Sequence, residues 1–494
     1  MVSDKSFYDM KKIFDVVLAF SSEKKYGSLL NVILTKMMDI TRSDAGTLYI
    51  LEDEKLHFRI VKNKTLKISQ SVEETSYLPP VVLNRDCIEN VSAYAAIKGE
   101  VVTIDDVYED SRFNFAGPKH YDEITGYRTR SMLVLPLCSF WNEKTEVLGV
   151  IQLMNATDTS GKSVPYGELY DPSVILALAN VASNTLANHI YHNEIRMLFH
   201  SFVSVMANAI DERSSFSSNH QNNVAGLCDA FALYLKKRFP EGQRYHFDDD
   251  HLEELSMAAI LHDIGKIVTP PNIMDKADRL GERFPGVRYR FEIKKVQLEN
   301  EMLRGDISQE EYSTLAEDLK GSLELIEQAA VAGFLNDEIF EKVKNLAKLT
   351  YKNALGDTVP LLDSRDMECL SVRRGTITDD ERAIMQEHAA VTGRLLHNVA
   401  FSKYFKNVPD WACNHHEFLD GSGYPKGLKE ADLPIEVNMI TIIDIFEALT
   451  ASDRPYKKAV PVEKSLNILR EMVNEGKLHG ELVELFAESK VWES

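Results

Sequence analysis

Asn414 to Pro425 reads Asn-His-His-Glu-Phe-Leu-Asp-Gly-Ser-Gly-Tyr-Pro, which packs two adjacent imidazoles, two carboxylates and two glycines into one short stretch. A buried helix would not accept Gly421 and Gly423, and a surface loop gains nothing from His415 beside His416. A second cluster stands upstream, His262-Asp263-Ile264-Gly265-Lys266. Imidazole and carboxylate are the usual ligands of hard-to-borderline metals, so two such clusters in one chain point to a single polynuclear metal site. Asp444 ends the apolar run Met439-Ile440-Thr441-Ile442-Ile443. A carboxylate buried behind such a run needs a cation or hydrogen-bond donors.

These residues must be carried by particular elements. Leu252, Leu255, Ala258, Ala259 and Leu261 give a helix over Asp249–His262 its buried side, and Gly265 lets the backbone leave. His220 precedes an apolar helical set at Val224, Leu227, Phe231 and Leu233. Thr378 and Glu381 form a capping box that starts a helix bearing His388 among Ile384, Val391 and Leu395. Between Gly281 and Gly375 the chain is helical and charged, with one apolar set at Phe291, Val296, Leu298 and Met302. A second capping box at Ser308-Gln309-Glu310-Glu311 starts the next helix there, and a third helical pattern covers Ile339 to Tyr351.

The N-terminal part reads differently. Phe7, Met10, Ile13, Phe14, Val17 and Leu18 have helical spacing, as do the residues from Leu29 to Ile40. Strand patterns follow at Gly46–Leu51, Arg130–Cys138 and Val147–Met154, with a turn at Asn142–Thr145 before the last. Helices flanking an antiparallel sheet make an α+β domain. From Ser173 to about Glu212 runs a helical pattern without Gly or Pro, about 60 Å long at 1.5 Å per residue. Its loosely heptad-like stripe suggests pairing in a parallel dimer, and its own His189 and His192 are read as solvated or interhelical.

The two clusters together, and above all Gly421 to Pro425, resemble the HD-GYP family of metal-dependent phosphodiesterases that cleave cyclic dinucleotides. The resemblance covers about 214–280 and 375–490. It implies a metal set of His220, His262, Asp263, His388, His415, His416 and Asp444. His220, His262 and Asp444 would hold one ion, His388 and His415 the other with His416 adjacent, and Asp263 would bridge them with its two oxygens. His388 is preferred to His397 because the family register resumes at Gly375. Asp263 and Lys266 would be the catalytic pair. Lys266 would hold a phosphate oxygen, Arg454 and Lys457 the distal phosphate, and Tyr424 the wall beside the ions. Phe216 stands where members with a third ion place a glutamate, so two divalent ions are expected, iron or manganese. The chain departs from the family where His388 follows the His-Asp pair only after the long insertion, and where Asn438 and Glu447 replace arginine and aspartate.

Residues 25–170 resemble a GAF domain, carried by Ser43–Tyr49, Val102–Tyr108, Thr125–Leu133 and Val147–Asn155. That implies a small-molecule ligand or a ligand-free dimerisation module. Asn155-Ala156 replaces the Asn-Lys pair of cyclic-nucleotide-binding versions.

The expected chain is multidomain. It has an N-terminal helix at 1–24, an N-terminal α+β GAF-like sensor domain at 25–170 and a signalling linker helix at 171–213. A C-terminal all-α HD-type hydrolase domain at 214–494 carries a helical insertion at about 281–375. The 494 residues exceed what one core supports. The net charge of −20 argues against nucleic-acid polymers and anionic membranes as partners, so an anionic substrate must be held by local cations. Five cysteines without a regular framework, no secretion-type leader and no long apolar run fit a cytoplasmic homodimer. The expected reaction is hydrolysis of cyclic di-GMP to the linear dinucleotide and onward to GMP, under control of the GAF domain. A mixed GMP-AMP ring, an HD-type hydrolase of other nucleotides, and a non-hydrolytic metal-binding signalling module stay open as alternatives.

Overall fold

The computed structural model describes residues 14–23, 25–71, 75, 78–84, 89–141, 144–168, 172–213, 219–451 and 459–493. The chain forms two compact units, Met1–Leu198 and Phe199–Ser494.

In the first unit, helix α1 (14–22) and α2 (Tyr26–Ile40) precede strands β1 (Ser43–Glu52), β2 (Lys55–Asn63), β3 (Ile68–Gln70) and β4 (Val81–Val82). Then follow α3 (Val91–Lys98), β5 (Val102–Ile104), α4 (Ala116–Thr125), β6 (Met132–Trp141) and β7 (Lys144–Ala156). The strands build one antiparallel sheet in the order β3-β2-β1-β7-β6-β5, with β4 also on β2. Side chains alternate across a strand, and the alternation here divides two cores. Leu48, Ile50, Leu133, Leu135, Ile151 and Leu153 face the side of α1 and α2. Tyr49, Met132, Val134 and Val150 face the side of α3. The strand patterns expected at 46–51, 130–138 and 147–154 thus lie in β1, β6 and β7. Of the expected turn, Asn142 lies outside the described residues and Thr145 already pairs with Phe140. Residues 1–13 of the expected first helix also lie outside. Asn155 spends its side chain on the backbone, accepting from the Arg130 N–H at 2.7 Å and donating to the Arg128 carbonyl at 2.7 Å.

Helix α5 (Pro172–Asp211) follows the pattern expected from Ser173 to about Glu212. The second unit then holds α6 (His220–Arg238), α7 (Asp249–Leu261), a 3₁₀ segment at Ile264–Val268, and α8 (Pro271–Met274). The insertion comprises α9 (Phe284–Arg304), α10 (Gln309–Val331), α11 (Asp337–Leu346), β8 (Thr350–Lys352), β9 (Thr358–Pro360) and α12 (Ser364–Leu370). After it come α13 (Asp379–Leu396), α14 (Val408–Cys413), α15 (Ile435–Thr450), α16 (Val462–Asn474) and α17 (Gly480–Ser489).

Both expected capping boxes form, Ser308 with Glu311 and Thr378 with Glu381. The helical pattern read through Tyr351 stops at Leu346, however, because Thr350 and Tyr351 pair with Pro360 and Val359 in a hairpin. Its tip turns on Gly356 at φ +87°, where a side chain is disfavoured.

The insertion has its own core of Val287, Phe291, Leu298, Ile326, Leu361 and neighbours. The helices around it share a separate core that includes Val224, Phe231, Leu255, Ile440, Ile443 and Phe486. The two strands of chain at the insertion's base are fastened to each other. Lys276 pairs with Glu381 at 2.8 Å, and the Thr376 hydroxyl donates to the Lys276 carbonyl at 3.0 Å. Just inside, the buried Arg279 donates to the carbonyls of Ala329 and Val372.

Candidate metal centre

Five helices of the second unit deliver the cluster. His220 opens α6, His262 caps α7 and Asp263 follows it. His388 lies within α13, His415 and His416 follow α14, and Asp444 sits in α15. Gly265 makes the approach possible: a Cβ there would lie 1.9 Å from the His388 carbonyl oxygen. Thr392 locks the same crossing, accepting from the Gly265 N–H and donating to the His262 carbonyl, both at 3.0 Å.

Asp263 is almost fully buried, and its two oxygens face different groups. Oδ2 lies 3.1 Å from His262 Nε2 and 3.6 Å from His220 Nε2. Oδ1 lies 3.2 Å from His388 Nε2 and 3.8 Å from His415 Nε2. Asp444 Oδ1 completes the first side, 3.1 Å from His220 Nε2 and 4.0 Å from His262 Nε2. Ligand atoms of His220, His262 and Asp444 thus form one compact group, and those of His388, His415 and His416 form another.

The ring orientations are set from behind. His262, His388 and His415 each place Nδ1 on the carbonyl three residues back, Ala259, Met385 and Ala412, at 2.6–2.7 Å. His220 Nδ1 lies 2.5 Å from Glu447 Oε2, and Glu447 Oε1 accepts from the Asn223 amide at 3.0 Å. An Nδ1–H held this way leaves the Nε2 lone pair pointing inward, the arrangement that second-shell acceptors give metal-binding histidines. The Nε2 atoms of His262, His388 and His415, together with Asp263 Oδ1, are buried without a hydrogen-bond partner. Leaving four such atoms unpaired in a protein interior is costly. A pair of divalent cations would satisfy all four at once, so the donor set fits the expected ions.

The electrostatics agree. Burial, reinforced by the neighbouring His416, keeps His415 neutral well below the ordinary imidazole range, and burial pushes His416 down to about 4. For Asp263, burial opposes ionisation, but Lys266, His262 and His220 outweigh it and hold the carboxyl well below its usual range. Asp444 is lowered in the same way, chiefly by His220 against the cost of burial. His220 is raised, since Asp263, Asp444 and Glu447 together overcome its burial.

The loop from His416 to Leu428 forms the wall. Glu417 is buried and accepts from the backbone N–H groups of Lys426, Gly427 and Leu428 at 2.6, 3.1 and 2.9 Å. Gly423 is required because a Cβ would lie 2.5 Å from the His416 carbonyl. The Tyr424 ring lies against His416, centroids 4.7 Å apart. Lys266 Nζ sits 2.6 Å from Asp263 Oδ2.

The structure therefore brings together His220, His262, Asp263, Lys266, His388, His415, His416, Tyr424 and Asp444. His397 lies on the surface, near Asp410. Phe216, Arg454 and Lys457 fall outside the described residues. Sequence reasoning assigned no role to Glu447, Thr392, Glu417 or Thr441, whose hydroxyl donates to the His415 carbonyl at 2.7 Å. Asp211 was also missed. It is buried beside this cluster, accepts from the Gln221 backbone, and burial pushes it up to about 6. The signal for Glu447 and Asp211 was present in part, as acids among apolar helix residues.

A GAF domain family model matches residues 27–189, and an HD domain family model matches residues 366–482. The second match begins within the insertion and leaves out His220, His262 and Asp263. Among curated proteins, the chain is 39% identical over 97 residues to 3'3'-cGAMP-specific phosphodiesterase 3 of Vibrio cholerae, covering 20% of each. It is 35% identical over 111 residues to 3'3'-cGAMP-specific phosphodiesterase 1 of the same organism, covering 22% of this chain and 25% of that one. It is 36% identical over 116 residues to a cyclic di-GMP phosphodiesterase of Thermotoga maritima, covering 23% of this chain and 30% of the relative. The matches thus span less than a third of these relatives' lengths.

Proposed function

We propose that this chain, which joins a GAF domain to an HD domain, is a binuclear metal-dependent phosphodiesterase that opens cyclic dinucleotides. The observation that carries the reading is Asp263, one oxygen toward His220 and His262, the other toward His388 and His415, with unpartnered Nε2 atoms on both sides. The names of the similar proteins support the substrate class, cyclic di-GMP or 3'3'-cGAMP.

In this reading, His220, His262 and Asp444 would hold one divalent ion and His388, His415 and His416 the other, with Asp263 serving both. Iron and manganese both suit such nitrogen and oxygen donors. When bound, such a pair supplies an activated water and neutralises the non-bridging phosphoryl oxygens. The protein's own groups do the rest. The backbone carbonyls behind His262, His388 and His415 fix the rings, and Glu447 fixes His220. Lys266 offers its ammonium to a phosphoryl oxygen on the Asp263 side, and Tyr424 lines the approach. Arg454 and Lys457 take the second phosphate of the ring. Water adds to phosphorus and gives up a proton, the P–O3′ bond breaks, the leaving 3′ oxygen takes a proton, and the linear dinucleotide leaves with its new 5′-phosphate.

The domain division follows the same reading: a sensor at 25–170 and a hydrolase at 214–494, linked through α5. Ile195, Leu198, Phe202 and Val205 are exposed at three-four spacing on α5, which suits a parallel pair of chains. No described helix is long and apolar enough to cross a membrane. Cys138, Cys228, Cys369 and Cys413 are free thiols, which suits the cytoplasm. A ligand of the sensor would be a small molecule.

The test is incubation of manganese- or iron-loaded protein with cyclic di-GMP and 3'3'-cGAMP, with chromatographic detection of linear products. Metal-dependent cleavage is expected. Metal retained with no cleavage of either ring would leave a binding module and refute the enzyme.

A further inference from the structure

Helix α9 of the insertion is apolar on two opposite faces. Val287, Phe291 and Leu298 fill the insertion's core. On the other side Tyr289, Ile293, Val296 and Leu303 are 69%, 44%, 53% and 73% exposed. Their spacing of four, three and seven becomes an unbroken four-three repeat when the exposed Asn300 is included. This stripe runs about 21 Å along the helix. The β8–β9 hairpin borders it on one flank, where Lys352 exchanges two hydrogen bonds with Gln297, at 2.6 and 3.0 Å.

An alternating four-three stripe is the pattern that keeps one helix facing another over several turns, whereas a stripe for a globular core widens around the helix. A single asparagine within it is costly against an apolar groove. Opposite an identical asparagine it is satisfied, and it fixes register. The flanks carry charges that choose direction. Glu292 and Glu299 lie on one side of the stripe, Gln297 and Arg304 on the other. In a parallel, in-register pair Glu299 faces the other copy's Arg304. An antiparallel pair would set Glu292 near Glu299 and bring like charges together. A chain of net charge −20 with glutamates along this stripe is also a poor ligand for an anionic membrane.

We propose that the stripe Tyr289, Ile293, Val296, Asn300 and Leu303 is an interface with a second copy of this chain, formed by parallel pairing of α9 helices. The interface belongs to the insertion and stands apart from pairing along α5 and from the metal chemistry.

Disulfide trapping in the full chain tests it, with Cys87 and Cys138 changed to serine and the other thiols buried. Asn300→Cys should meet its own counterpart across the two-fold. Lys295→Cys, exposed on another face, should not. Under mild oxidation the first should form intermolecular disulfide at least about tenfold faster, set by the local thiol concentration within the pair. Adding Val296→Glu should remove that advantage while circular dichroism stays unchanged. Glu299→Lys should slow trapping, and Glu299→Lys with Arg304→Glu should restore it, a rescue that misfolding could not produce. Equal trapping at 300 and 295, trapping indifferent to Val296→Glu, or no charge-swap rescue would each overturn the proposal, whatever the state of α5.

Discussion

Replacing Glu447 should weaken one of the two proposed ions and spare the other. Its Oε2 lies 2.5 Å from His220 Nδ1 and its Oε1 takes the Asn223 amide at 3.0 Å, so it both orients the imidazole and raises its basicity. The carboxylate is buried, and water cannot easily stand in for it. Outer-shell partners of metal-binding histidines are worth about 10–100-fold in metal affinity, or roughly 1.4–2.7 kcal/mol. Glu447→Ala should lie at the upper end of that range, because His220 loses its acceptor and Asn223 its partner. Glu447→Gln should cost about tenfold, because an amide offers one acceptor where the carboxylate offers two. Manganese titration of metal-free protein, followed by calorimetry, should show two classes of site in the parent chain. In the variants only the class built on His220, His262 and Asp444 should weaken. Equal weakening of both classes, or no change in a variant with native near-ultraviolet circular dichroism, would refute the separation of the cluster into two halves.

Asp263→Ala should lose both ions together, taking elemental analysis from about two metals per chain toward none, and retention of one ion would show that Asp263 does not bridge. Because His220 is raised in the folded metal-free chain, its stabilising effect is full below the unfolded value of about 6.5 and is lost as pH rises through the higher folded value. Thermal melting of metal-free protein should therefore fall as pH climbs above about 6.5, while manganese affinity rises over the same interval because binding expels that proton; a flat melting profile would exclude a charged His220. Two residues inserted near Asn188 would turn one end of α5 against the other by about 200° and should change basal activity, whereas seven should nearly restore it. Activity indifferent to both insertions would make α5 a passive tether.

Much of the cluster was legible through a family resemblance and the markers that carry it: Gly265 after the His-Asp pair, the register that resumes at Gly375 ahead of His388, and the glycines after His416. Gly265 answers a close approach between distant segments, since a Cβ there would lie 1.9 Å from the His388 carbonyl oxygen. Glu447 was not legible as a partner of His220, since 227 positions separate them and only the packing of α6 against α15 brings them together. Thr392 and Thr441 are equally opaque, because a threonine on a helix has the same appearance whether or not its hydroxyl reaches another element. In the N-terminal half, strand periodicity located β1, β6 and β7 but missed β2, although Leu56, Phe58 and Ile60 alternate there with polar neighbours. The short strands β3, β4 and β5 escaped notice, since two or three residues cannot establish an alternation. The β8–β9 hairpin was hidden for the same reason, at the end of a helical pattern that overran it.

The fastening at the base of the insertion has an evolutionary consequence. The chain leaves and re-enters the surrounding helices at neighbouring points, tied by Lys276, Thr376 and Glu381. Seen from the histidine–aspartate cluster, everything beyond that tie is a single loop, and the entropy of closing a loop grows only with the logarithm of its length. A lineage could therefore lengthen, shorten or exchange this segment without retuning the distance between Asp263 and His388. Changes of length in the segment are then separable from the geometry of the cluster, provided that Lys276, Thr376 and Glu381 keep the two ends tied.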